Sequence, residues 1–163
     1  MSAGKLERVG RGIYSLPNQA VSENRSLAEV AIRVPRGVIC LVSALRVHDI
    51  GTQAPHEIWL AIPHRMLSPR LDKPALRVIR MSGPSLTEGI DRLKVDGVEV
   101  SVFNAAKTIA DCFKFRNKIG LDVALEALKN ARAQRKASAD DLWHFANICR
   151  VANVMRPYLE AIG

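Results

Sequence analysis

Three cations gather around a glycine-bracketed turn near the start of the chain. In "GKLERVGRGIYSLP", Lys5 and Arg8 precede Gly10-Arg11-Gly12, and Arg11 sits at the tip. Lys5, Arg8 and Arg11 could grip phosphate oxygens, while the two glycines let the backbone turn tightly and pass close to a partner such as DNA. A second set, Lys107, Lys114, Arg116 and Lys118, lies in "NAAKTIADCFKFRNKIG". At helical spacing, Lys107, Asp111, Lys114 and Lys118 share one side, and Ala106, Ile109, Ala110 and Phe113 share the other. The pattern predicts either a basic face that meets an anionic partner or a solvated face on which Asp111 pairs with Lys107 and Lys114.

The groups that would mark an enzyme are arranged otherwise. The chain has no GxSxG, no Walker loop and no HExxH, and His48, His56, His64 and His144 do not fall at metal-ligand spacings. Cys40, Cys112 and Cys149 are odd in number, far apart and never in a CxxC arrangement, which points to buried reduced thiols rather than disulfides or zinc. Glu57 is not followed two positions later by a basic residue, so it misses the acidic-x-basic pattern of many metal-dependent nucleases. Asp96 is accounted for by the turn it shares with Gly97, and Trp59 and Trp143 sit in apolar patterns that read as core. The expectation is a chain with no catalytic residue, metal or cofactor. A phosphodiester-cleaving enzyme is the alternative that basic charge and a mixed α/β pattern would favour, and a pure protein-interaction module is another.

Length and charge set the frame for these sites. The 163 residues, 48% of them hydrophobic, suffice for one ordinary core with a small appendage. The net charge of +8 suggests an anionic partner, and five of the net positive charges fall between residues 105 and 136. No apolar run approaches the roughly eighteen residues of a membrane span, and the N-terminus lacks a signal-peptide core, so a cytoplasmic protein with no membrane partner is expected.

Periodicity then places the elements. Leu6 to Val9 and Ile13 to Leu16 read as a hairpin. "SLAEVAIRVP" predicts a helix behind a Ser26 cap that ends at Pro35, and the second half of "GVICLVSALRVHDIG" predicts another, closed by Gly51. "EIWLAIP" and "LRVIRMS" read as strands separated by a loop. "VDGV", with its Asp-Gly at the centre of "GIDRLKVDGVEVSVF", predicts an antiparallel hairpin within residues 89 to 103. From Asn104 the pattern becomes helical: a first helix broken by Gly120, a second through Leu128, a third capped by Ser138, and a fourth with a kink or break at Pro157. The fold class is α+β: a small, mixed, partly antiparallel sheet with a C-terminal cluster of about four helices.

Several of these phrases together are similar to a known family. "GKLERVGRGIYSLP", "SLAEVAIRVPRGVICLVSALRVHDIG", "EIWLAIP", "VDGVEVSVFNAAKTIADCFKFRNKIGLDVALEAL" and "VMRPYLEAI" resemble the AbiEi-type antitoxins, transcriptional regulators of type IV toxin-antitoxin and abortive-infection systems in phage defence. The resemblance covers nearly the whole chain. It implies that residues 1–17 are the remnant wing hairpin of a winged helix and that residues 18–163 are an α/β antitoxin domain. It also implies a function: counteracting a nucleotidyltransferase toxin and, in a full-length form, autorepressing the operon through DNA. By that resemblance these 163 residues are expected to lack the helices that precede the wing in the family, including the base-reading one, so binding of operator DNA by Lys5, Arg8 and Arg11 is expected to be weak.

Overall fold

The computed structural model describes residues 7–10, 13–15 and 21–162, with side chains described from residue 23 onward. Its strands are β1 (Glu7–Gly10), β2 (Ile13–Ser15), β3 (Val38–Ile39), β4 (Ile58–Pro63), β5 (Leu76–Met81), β6 (Ile90–Val95) and β7 (Val98–Phe103). They form one mixed sheet in the order β1-β2-β6-β7-β3-β4-β5. The pairs β1–β2, β3–β4 and β6–β7 are antiparallel, whereas β2–β6, β3–β7 and β4–β5 are parallel. Asp96 and Gly97 both adopt positive φ, 50° and 78°, as the tight turn between β6 and β7 requires. Ile13, Tyr14 and Ser15 pair with Arg92, Leu93 and Lys94 of β6, so backbone pairing bridges the boundary drawn after residue 17.

The helices are α1 (Val21–Arg33), α2 (Leu41–Val47), α3 (Pro84–Thr87), α4 (Ala105–Lys114), α5 (Arg116–Ile119), α6 (Leu121–Ala133), α7 (Ala139–Ile148) and α8 (Ala152–Ile162). Leu27, Val30 and Val34 carry α1 onto one face of the sheet, against Leu93, Val95, Val100 and Val102. The opposite face, including Ile79, Met81 and Phe103, is covered by the helices from α4 onward. Helix α2 sits where the two cores meet, giving Leu41 and Leu45 to one and Ala44 and Val47 to the other. The α+β class follows, with the C-terminal helices forming a layer of their own. Among the described residues no helix is long and apolar enough to cross a membrane.

Local details differ from the sequence expectation at four places, one being the first C-terminal helix, which ends at Lys114 and is followed by the separate α5 before Gly120. Helix α1 begins at Val21, so Ser26 lies within it rather than capping it. Helix α2 is closed by Asp49 and not by Gly51: Asp49 takes φ 56°, and the amides of Asp49 and Ile50 reach back to the carbonyls of Arg46 and Leu45. Arg135 and Arg150 close α6 and α7 in the same way, again with positive φ and without glycine. Helix α8 runs through Pro157 without a break. The Ser138 cap is as expected, its hydroxyl oxygen accepting the Asp141 amide at 3.1 Å.

Candidate functional site

The charged side of α4 faces inward. Asn104 caps this helix, its side-chain oxygen accepting the Lys107 amide at 2.8 Å, and every residue from Ala105 to Phe113 is buried. Lys107 and Asp111 are both 0% exposed, and Lys107 Nζ donates to Asp111 Oδ2 at 2.5 Å. The ammonium also lies 3.7 Å from the centroid of the Phe103 ring and 3.9 Å from Met81 Sδ. Asp111 Oδ1 accepts the Cys149 thiol at 3.4 Å. Lys107 therefore does not belong to an exposed basic face, which corrects the sequence expectation. The physical reason is that α4 is covered on both sides, by the sheet and by the neighbouring helices, so its charges can be accommodated only as a hydrogen-bonded pair.

Burial dominates the chemistry around this pair. It holds the Asp111 carboxyl above its ordinary range, with Lys107 pulling in the opposite direction. Burial also raises the thiols of Cys40 and Cys112, and that of Cys149 is pushed up to about 12. All three cysteines are free and buried, and they stay protonated at neutral pH, which makes them poor nucleophiles. The cluster suits holding α4 between its neighbours better than turning over a substrate.

The rest of the basic set lies where α4 gives way to α5. Lys114 and Lys118 are exposed, with the Lys114 ammonium 5.8 Å from the centroid of the Phe115 ring. Arg116 is half-buried and donates from Nη1 to the Phe113 carbonyl at 2.8 Å, which ties the guanidinium to the end of α4. Those cations satisfy the negative end of a helix and leave charge directed to solvent. Lys5 and Arg11 lie outside the described residues, and Arg8 lies on β1, where the backbone alone is described.

Of the histidines, His48 is buried and donates from Nε2 to the Phe103 carbonyl at 2.8 Å, while His56, His64 and His144 are exposed. Trp59 and Trp143 pack against the core at its edge, each under a guanidinium, that of Arg77 and Arg156 respectively, at 5.3 Å. Among the described residues no group of three or more His, Cys, Asp or Glu could hold a metal ion.

Burial lowers the His48 pKa from its ordinary value, against the opposing effects of the Phe103 carbonyl and Asp91, and Lys136 adds to the lowering. A histidine held neutral in the folded state binds fewer protons than in the unfolded chain, so its contribution to stability is complete above the unfolded pKa of about 6.5 and is lost as pH falls through the folded value. Stability is expected to drop over that window with a slope of up to about 1.4 kcal/mol per pH unit. Asp91, whose pKa burial raises, acts in the opposite sense. Comparing urea melts of wild type and His48→Gln isolates the histidine, because the glutamine should lose this component of the slope.

The inward turn of Lys107 could have been found in the sequence. Between Ala105 and Phe113 the only two ionisable side chains of opposite charge stand four residues apart, and all the other positions are apolar, small or, like Thr108, able to bond their own backbone. A helix with so little polar surface is buried all round. Thr108 does so, its hydroxyl donating to the Phe103 carbonyl at 3.2 Å. No protein-family model matches the chain, and no curated protein matches it.

Proposed function

We propose that this chain is an antitoxin domain of the AbiEi type, non-enzymatic, which counteracts a nucleotidyltransferase toxin and, in a full-length form, contributes to repression of its own operon. The reading is carried by the likeness of "VDGVEVSVFNAAKTIADCFKFRNKIGLDVALEAL" to that family. The stretch forms the β6–β7 hairpin, the buried helix α4 and the helices α5 and α6 in unbroken succession. Its centre is sealed around Lys107 and Asp111, and its one outward-facing group of cations is Lys114, Arg116 and Lys118. Those three are the residues proposed to meet an anionic partner, either an acidic surface of the toxin or DNA backbone.

Lys114, Arg116 and Lys118 changed together to glutamine should leave stability within about 1 kcal/mol of wild type, the Arg116 bond to Phe113 being the main loss. Rescue of growth from a nucleotidyltransferase toxin that the wild-type chain counteracts should then fail in this variant while the protein remains folded. Loss of DNA affinity alone would place these cations on a phosphate track. Wild-type rescue together with wild-type DNA affinity would show a merely solvated surface and remove the three residues from the site.

A further inference from the structure

Strand β5 ends the described sheet, paired with β4 on one side and open on the other. Ile58, at the start of β4, donates its amide to the Ala75 carbonyl at 2.9 Å, which fixes the phase of this parallel ladder. Arg77 and Ile79 therefore turn their backbone groups to β4, whereas those of Leu76, Val78 and Arg80 point outward. Among the described residues no other backbone group bonds to them. The side chains along this edge are nearly all of one sign. Arg65, Arg70 and Lys73 of the β4–β5 loop and Arg77 and Arg80 of the strand are exposed, and Asp72 is the one acid between residues 64 and 81. None of the six belongs to an ion pair among the described residues. Two of the arginines are held in place: the Arg77 guanidinium lies 5.3 Å from the centroid of the Trp59 ring, and Arg80 Nη1 donates to the His64 and Met66 carbonyls at 2.8 and 2.5 Å. Strand alternation puts Arg77 on one face of the sheet and the half-buried Leu76 and Val78 on the other.

An open edge of six residues can accept another strand, and charged side chains along it also guard against unwanted pairing. Here the guard is selective. A second copy of the chain on this edge would add its own cations to these, which opposes self-pairing, while an acidic strand is attracted. A phosphate backbone would suit the arginines, but it has no donors for the outward carbonyls of Leu76 and Val78. A peptide strand supplies both an N–H for each carbonyl and a carbonyl for each N–H. Its own alternation can match the edge, with acidic side chains on the Arg77 face and apolar ones against Leu76 and Val78. We propose that β5 receives an extended acidic segment of a partner protein as an added strand, its carboxylates meeting Arg77 and the loop cations and its apolar side chains covering Leu76 and Val78. The proposal is independent of the antitoxin reading, which rests on other residues.

Fluorescence anisotropy of a labelled peptide of about eight residues, alternating glutamate and valine and blocked at both ends, tests this on the full chain. The peptide should bind saturably. The same peptide N-methylated at every residue keeps its charge but loses its donors, and it should bind at least about tenfold more weakly, as should a peptide with lysine in place of glutamate. Val78→Pro removes an outward N–H and leaves the ladder with β4 intact, so it should weaken binding by about tenfold or more. Lys73→Gln combined with Arg77→Gln should weaken it by a similar factor and reduce its salt dependence. Both of those side chains are exposed, which keeps the test decisive if the proline variant unfolds. No saturable binding up to about 1 mM, equal binding of the N-methylated peptide, or unchanged binding in both variants would each overturn the proposal. So would duplex DNA that binds more tightly than the peptide and displaces it, which would make the edge a phosphate track. A dimer of the peptide-free chain that Val78→Pro abolishes would overturn it too, by giving the edge to a second copy.

Discussion

Lys107→Met is expected to destabilise the fold by about 3–5 kcal/mol, because it leaves the Asp111 carboxylate buried without its cation. Methionine fills much the same volume as the lysine stem, so lost packing contributes little. Asp111 would keep only the Cys149 thiol, a weak donor, at 3.4 Å. The variant should therefore depend on pH in a diagnostic way. With its pKa raised still further in the folded state, Asp111 binds a proton more readily there than in the unfolded chain, so the variant is most stable below the unfolded carboxylate pKa and loses stability as pH rises through the folded value. Lys107→Met combined with Asp111→Leu removes both charges, and an apolar replacement of a buried pair is often neutral or favourable, so the double variant should recover most of the loss. Urea melts of the single and double variants at two pH values measure this. A single-variant cost below about 1 kcal/mol, or a double variant no better than the single, would mean that the lysine is not the partner that makes the carboxylate tolerable.

That pair also marks the limit of what the sequence discloses. Spacing correctly puts Lys107 and Asp111 on one side of a helix, because the 3.6-residue period is local. The scarcity of polar positions between Ala105 and Phe113 signals that this side is covered, but it does not name the covering layer, which is α7 folding back about forty residues later so that Cys149 reaches Asp111. The hairpin of β6 and β7 was legible for the opposite reason: Asp96-Gly97 fixes the turn and the alternation on either side fixes the faces, all within fourteen residues of chain. Strand β3 is only Val38–Ile39, too short for a period to register, yet it joins β7 to β4 at the centre of the sheet. The ion pair of Glu23 with Arg46 was illegible too, since the two are brought together over 23 positions by packing and by no local motif.

Gly89→Ala is expected to cost about 2–4 kcal/mol, the sum of backbone strain and overpacking at the same position that confines Lys107. Gly89 adopts φ 80°, a conformation a Cβ disfavours. A Cβ there would fall 2.9 Å from Lys107 Cβ and 2.9 Å and 3.0 Å from two ring carbons of Phe145. Neither neighbour can yield easily: Lys107 Cβ is fixed by α4, and Phe145 is buried on α7. The Gly89 carbonyl meanwhile accepts the Asn104 amide at 2.7 Å, so a shift of the backbone to relieve the contact would disturb the residue that caps α4. Gly97 provides the comparison, with φ 78° but nothing within 4 Å of a Cβ, so Gly97→Ala should show the strain alone, about 1 kcal/mol. The difference between the two variants in urea unfolding then reports the contact with Lys107 and Phe145. Equal losses would mean that α4 and α7 can part at this point without penalty, and the close packing around the buried ion pair would not be what confines it.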